Sequence, residues 1–214
     1  MTPNKLMLLA GVVATLAGCG FGQVPPAPEL LDLGSPPAQT EAASTTRAPV
    51  AVATVSTVGT LQSQKVIWRI GPEGQPNAYA TVRWTSAPSV MVRERLFDRL
   101  SLDGPVLTQE INAEMAQLKT SLLAFEQIFS ADGSRSEGVV TLHVVLIVNT
   151  EVIDQIRVTR RIQAAEPTAE AGARALRTAT DQAVDVVAKW VAKWVAKSVA
   201  NRVTTQTTET LQRS

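Results

Sequence analysis

The chain has 214 residues, 45% hydrophobic, 18% charged and 4% aromatic, with one Cys and one His. That length and apolar fraction fit one modest globular core with extensions. A formal net charge of +1 excludes the basic excess of a nucleic-acid binder, a single Cys excludes an internal disulfide or a Cys-rich metal site, and a single His leaves little for imidazole chemistry.

Met1 to Lys5 is a short n-region with one cation, and Leu6 to Ala17 is an apolar run of about a dozen residues, the length of a signal-peptide h-region. A transmembrane helix needs about 20. Leu16-Ala17-Gly18-Cys19 matches the bacterial lipobox, in which small residues admit the signal peptidase and the Cys thiol accepts a diacylglyceryl group. Residues 1–18 therefore read as a lipoprotein signal peptide, and Cys19 as the lipidation site, carrying covalent diacylglycerol and an N-acyl chain. Cleavage removes Lys5 and no acid, so the mature chain is neutral. Several acyl chains anchor stably where one myristoyl chain would not. Gly20, rather than Asp, follows the Cys, which favours the outer membrane with the protein facing the periplasm.

Pro25, Pro26, Pro28, Pro36 and Pro37 among Ala, Ser and Thr make residues 19–48 a lipid-anchored, Pro-rich tether. Within it Glu29 to Leu33 reads equally as an edge strand or as an apolar part of the linker. The folded domain is expected over 49–200, beginning where Val50, Val52, Val55 and Val58 introduce β-branched residues. Val66, Trp68 and Ile70 share a face of one strand. Turn chemistry from Gly71 to Asn77 follows, and Tyr79 to Trp84 runs extended, which predicts a hairpin. Ser86 as cap and Pro88 in the first turn predict a helix whose Val92, Leu96 and Leu100 face the core. The 104–116 segment is ambiguous. A strand is predicted over 116–129, and Val139 to Val148 reads as a central strand covered on both faces. Ile156, Val158 and Ile162 then alternate with Gln155, Arg157, Thr159 and Arg161, the pattern of a sheet with one wet, basic face.

From Pro167 an Ala-rich stripe through Leu176, Ala179, Ala183, Val187, Trp190 and Trp194 predicts a long helix. Run to about residue 202, it would measure on the order of 50 Å, with an end that projects. Val187-Ala188-Lys189-Trp190 and Val191-Ala192-Lys193-Trp194 repeat every four residues, which aligns the two Trp and the Lys side chains along the helix. Residues 201–214 are polar and Thr-rich and are expected to be disordered. The fold class expected is α+β, a mostly antiparallel sheet packed by one mid-chain helix and a long C-terminal helix.

This succession resembles the ABC-type transport auxiliary lipoproteins, the family that includes the PqiC-like proteins. Ala78 to Pro88, with Tyr79, the Arg83-Trp84 pair and Pro88 opening the helix, looks like the family pattern. So does Leu123-Ala124-Phe125-Glu126-Gln127-Ile128-Phe129, and Trp190 falls where the last helix commonly carries Trp. The resemblance spans roughly 29–195 and departs at Glu29 to Leu33, where the family usually has Tyr-Tyr-Leu. It implies an accessory component of an envelope lipid-trafficking system, docking or forming a conduit at the outer membrane. Its partners would be an ABC permease and ATPase and a substrate-binding protein of the mammalian-cell-entry (MCE) type. Membrane lipids would be met through the anchor, and self-association into a homo-oligomer is left open. The alternative is a structural or scaffolding envelope lipoprotein without a transport role.

No enzyme is expected. His143 lies in the Val-rich strand and reads as a packed or hydrogen-bonded core residue, which removes a Ser-His-Asp constellation, and no glycine-rich phosphate loop is present. No metal site and no cofactor beyond the lipid on Cys19 is expected. Trp190 and Trp194 read equally as core or as a partner interface. Arg157 and Arg161 read as a solvated face, with contact to lipid headgroups or an acidic partner as the functional alternative.

Overall fold

The computed structural model describes residues 27–37, 47–113 and 115–212, with side chains through Lys197. The expected signal peptide and Cys19 lie outside the described residues. The chain forms β1 (Glu29–Leu31), β2 (Val50–Val52), a 3₁₀ turn (Gly59–Gln62), β3 (Lys65–Ile70), β4 (Asn77–Trp84) and α1 (Pro88–Ser101). It continues through β5 (Val106–Leu107), β6 (Ala116–Phe129), β7 (Ser136–Val148), β8 (Glu151–Gln163) and α2 (Ala169–Gln212). This is the expected α+β class, built on an open, mixed eight-stranded sheet.

The bulk of the sheet is the antiparallel meander β6-β7-β8, paired almost end to end from Gln117↔Ile147 to Glu137↔Gln163. On the far side of β6 its two ends take different neighbours. Parallel β2 lies along Ala116 to Leu118, and parallel β3 lies along Gln127 to Phe129. The β3-β4 hairpin is antiparallel as expected, and β1 closes that edge in parallel with β4. The sheet is thus antiparallel in its long pairings and parallel only in short ones, including β2 with β5 in the ambiguous segment.

Strand β1 corrects the domain boundary. Residues 29–34 belong to the folded domain rather than to a tether, because Leu31 packs against the core and Leu33 is buried. Composition reads such a Pro-flanked stretch as linker, since its strand partners Val82 to Trp84 lie far along the chain. The rest of the expected tether, 19–26 and 38–46, lies outside the described residues.

α1 begins at Pro88, with Ala87 at the cap position and no side-chain cap, so Ser86 does not act as one. Pro88 supplies the boundary itself, having no N–H to satisfy and a φ already suited to a helix. Val92, Leu96 and Leu100 are fully buried, as their spacing requires.

β7 also departs from expectation. Val140, Leu142, Val144 and Leu146 are buried beneath α2, whereas Thr141, His143, Val145 and Ile147 on the opposite face are only half-buried, with no element over them among the described residues. The apolar character of both faces arises because flanking side chains of β6 and β8 shield the open one laterally, as cross-strand neighbours do in a long sheet.

α2 starts with Thr168, whose Oγ1 accepts the Ala171 N–H at 3.2 Å, and Glu170 sits in the positive first turn. Its Ala171, Ala173, Ala175, Ala179 and Ala183 are buried, and this small-residue face lets the helix lie close on β7. Gly138 marks the closest approach, where an added Cβ would stand 2.6 Å from the Leu176 nitrogen. The helix has 44 residues, about 66 Å, well beyond the roughly 46 Å of the 14-residue β6. Its backbone is helical to Gln212, through residues 201–212 where the polar, Thr-rich composition predicts disorder. Propagating an existing helix adds a hydrogen bond per residue fixed, which polar Thr and Gln tolerate.

Candidate functional site

Two surfaces carry the side chains of interest, one where the two helices meet and one on the open face of the sheet. At the helical seam the organiser is Arg95, one turn after Met91 on the buried stripe of α1 and only 5% exposed. Its Nη2 donates to the Leu33 and Gly34 carbonyls, each at 2.7 Å, and its Nε lies 3.3 Å from Asp181 on α2. One arginine thus straps the segment after β1 onto both helices. Gly34 sits there at φ 58°, a backbone conformation that side-chain-bearing residues adopt only with strain, and the Arg177 guanidinium packs where a Cβ would stand.

Arg99 continues the seam with Asp103 at 2.8 Å and Asp185 at 3.0 Å, and Lys189 adds a second cation to Asp185 at 2.6 Å. Burial pulls the Asp185 carboxyl up, but Lys189 and Arg99 outweigh it and hold the group below its ordinary value. For Asp181 burial wins over Arg95 and Arg177, and its carboxyl is raised. A groove of about 370 Å³ runs along this seam between Pro36, Pro37, Arg99, Leu102 and Val184. Its guanidinium groups are taken by carboxylates, so it offers an amphipathic wall rather than an anion site.

A buried amide ties the start of α2 to the sheet. Gln127, 1% exposed, accepts the Tyr79 hydroxyl at 2.9 Å and donates from Nε2 to Ser136 Oγ at 2.8 Å and the Thr168 carbonyl at 3.0 Å. Burial, with Glu170 nearby, pushes the Tyr79 phenol up to about 12.

The open face begins at the edge, where the register aligns Leu30, Arg83 and Lys65 across β1, β4 and β3, all exposed. It continues over β6-β7-β8 with Thr141 bonded to Thr159 at 3.1 Å, and His143 between Ser121 and Arg157. His143 is therefore not a core residue. It is half-buried on this face, its Nε2 3.0 Å from Gln155 Oε1, because the strand presents odd-numbered residues to solvent. Arg161 pairs with Glu137, and Arg157 is exposed.

Trp190 and Trp194 lie on the other side of β8, half-buried against the core, with Trp190 Nε1 donating to Asp154 at 3.0 Å. The structure does not unite them with Arg157 and Arg161, since the sheet intervenes. Sequence reasoning passed over Arg95, Gln127 and the Leu30-Arg83-Lys65 row. For Arg95 a signal existed, an arginine four residues after Met91 and beside Leu96 on an apolar stripe. The row depends on strand pairing and left none. Among the described residues, no group of three or more His, Cys, Asp or Glu is gathered as for a metal, and no helix is long and apolar enough to cross a membrane.

A crystal structure of a Xanthomonas campestris protein of the DUF330 family superposes with a TM-score of 0.65 at 15% identity, covering 81% of this chain and 98% of that one. The crystal structure of an uncharacterized protein gives 0.60 at 14% identity, covering 77% and 99%. Both likenesses are to the fold. No curated protein matches the sequence. The profile of the ABC-type transport auxiliary lipoprotein components matches residues 30–192, from the first strand through the first Trp of the C-terminal repeat. Spanning every strand and most of the packed part of α2, that match shows that the chain belongs to the family of ABC-type transport auxiliary lipoprotein components.

Proposed function

We propose that this protein is a non-enzymatic, lipid-anchored periplasmic accessory component of an ABC transport system that moves lipids between the membranes of the cell envelope. In this proposal Cys19 carries the diacylglycerol and N-acyl chain, and the anchor sits in the outer membrane. An MCE-type substrate-binding protein with its permease and ATPase is the partner. The observation that carries the reading is the family match over 30–192, which names a transport auxiliary lipoprotein. Geometry favours docking over conduction through the domain. The space between helices and sheet is filled by Trp84, Phe125, Leu96, Leu118, Leu142 and Leu176, each less than 2% exposed, with Trp84 edge-on to Phe125 at 5.4 Å. At interior packing density such a core leaves no lipid-sized passage.

The test is recovery of tagged protein from detergent-solubilised envelopes, with mass spectrometry of co-purifying proteins and lipids. Enrichment of an MCE-type protein or its ATPase is expected. Reproducible recovery of secretion or cell-wall machinery in their place would replace transport with the scaffolding role.

A further inference from the structure

We propose that the open face of the sheet, from Leu30 at one edge to Thr159 and Arg157 at the other, is a membrane-contact surface that lies on anionic phospholipid headgroups. The proposal rests on the lipid anchor at Cys19 argued above.

Three observations carry it. The first is chain length. Glu29 follows Cys19 by ten residues, at most about 36 Å of extended chain. Since 29–34 is strapped into the fold by Arg95, the leash ends at β1, on the edge where the exposed row begins. The domain therefore stays within a few nanometres of the bilayer, held by the edge of this face.

The second is charge. Lys65, Arg83, Lys119 and Arg157 are exposed on this face without an ion-pair partner among the described residues. Its carboxylates Glu126 and Glu137 are already occupied by Arg69 and Arg161. The helical side differs. There the signs are mixed: Arg95, Arg99 and Lys189 are matched to Asp181, Asp103 and Asp185, Arg174, Lys193 and Lys197 are exposed along α2, and α1 presents Glu94 and Asp98 to solvent. The free charges of the sheet face are thus of one sign, whereas those of the helical face are mixed.

The third is the apolar component. Leu30 is 63% exposed beside Arg83, and Val152, paired with Ile147 of the open face, is 64% exposed. Apolar tips among cations suit the interfacial region of a bilayer, where the tip enters and the cation remains at the headgroups. A neutral chain gains nothing from attraction at long range, so this surface acts only once the anchor has brought it close.

The experiment uses the mature acylated protein in vesicles. Acylation blocks the Cys19 thiol, so Leu30→Cys, Thr159→Cys and, on the exposed side of α2, Gln182→Cys each give one labelling position. Each carries an environment-sensitive fluorophore, with a spin-labelled headgroup as quencher. Vesicles are phosphatidylethanolamine with phosphatidylglycerol, or with phosphatidylcholine in its place. Expected is strong quenching at positions 30 and 159 and little at 182 in the anionic vesicles. Quenching at 159 should fall with phosphatidylcholine and with added salt. Each of Arg83→Gln and Arg157→Gln should lower the face-down population about fivefold. Equal quenching at 159 and 182, or quenching at 159 that ignores lipid charge and salt, overturns the proposal, whatever else then covers the face. Failure of the acylated protein to float with vesicles at all refutes the anchor, and the contact surface with it.

Discussion

Arg95 shows how much a single side chain can hold. It donates to both carbonyls of the Leu33-Gly34 segment and pairs with Asp181, so removing it leaves a partly buried carboxylate without its main compensation. Arg95→Met should destabilise the protein by about 3 kcal/mol at neutral pH, read by urea unfolding. The pH dependence has a definite sign. Burial raises the Asp181 pKa in the folded state, and without Arg95 it rises further, so the folded state holds the proton where the unfolded chain has lost it. The deficit should therefore shrink as pH falls toward the ordinary Asp value and be largest above the raised one. Gln127 is the second such residue. Gln127→Leu strips partners from the Tyr79 hydroxyl, Ser136 and the Thr168 carbonyl, and should cost about 3 kcal/mol. Adding Tyr79→Phe should then cost less than it does alone, a coupling that a double-mutant cycle measures.

At the scale of elements, the β7-β8 hairpin turns in two residues, Asn149 and Thr150, with φ 51° and 65°. A two-residue turn that matches strand twist needs positive φ at both positions. Asn accepts this, whereas a β-branched Thr is strained by its Cβ. Thr150→Gly should stabilise the protein by about 1 kcal/mol in thermal unfolding, and an unchanged or lower Tm would show that the turn relaxes in solution. In the C-terminal repeat, Val187, Val191 and Val195 are buried, the Lys residues point outward, and Trp190 and Trp194 flank the core. Trp190→Ala with Trp194→Ala is expected to lower stability by at least about 3 kcal/mol, since two large, partly buried rings are lost together with the Asp154 hydrogen bond. Full stability with lost partner recovery would assign the pair to an interface instead.

Among the described residues the molecule is a sheet with both helices on one face, and its first strand begins ten residues after the expected anchor. Cys19→Ser should move the protein from the membrane to the soluble fraction after a high-salt wash, as followed by fractionation. Retention under those conditions would mean that something other than the acyl chains holds it. The wash matters, because a cationic sheet face near anionic lipid is screened by salt whereas buried acyl chains are not.

Much of this was legible from residue order alone. Strand β6 was expected at its observed bounds, the β3-β4 hairpin was marked by its Gly and Pro turn, and α1 by Pro88 and a four-residue apolar step. Hydrophobic period and turn chemistry are local, and they report which face of an element is apolar. They do not report what covers it. That limit accounts for β7, read as buried on both faces and found open on one. It accounts for His143, moved from core to open face by the same fact, and for β1, whose partners are distant in the chain. The helical state of 201–212 lay outside it for a different reason, because composition there was read for packing rather than for propagation from an established helix. Residue order carried the types of the long elements from β3 to α2, the family and the lipobox, since each rests on neighbouring residues. Only the tertiary structure decided that Arg95 straps the N-terminal segment and that Leu30, Arg83 and Lys65 stand in one row, because strand order and helix docking bring together residues that no local pattern connects.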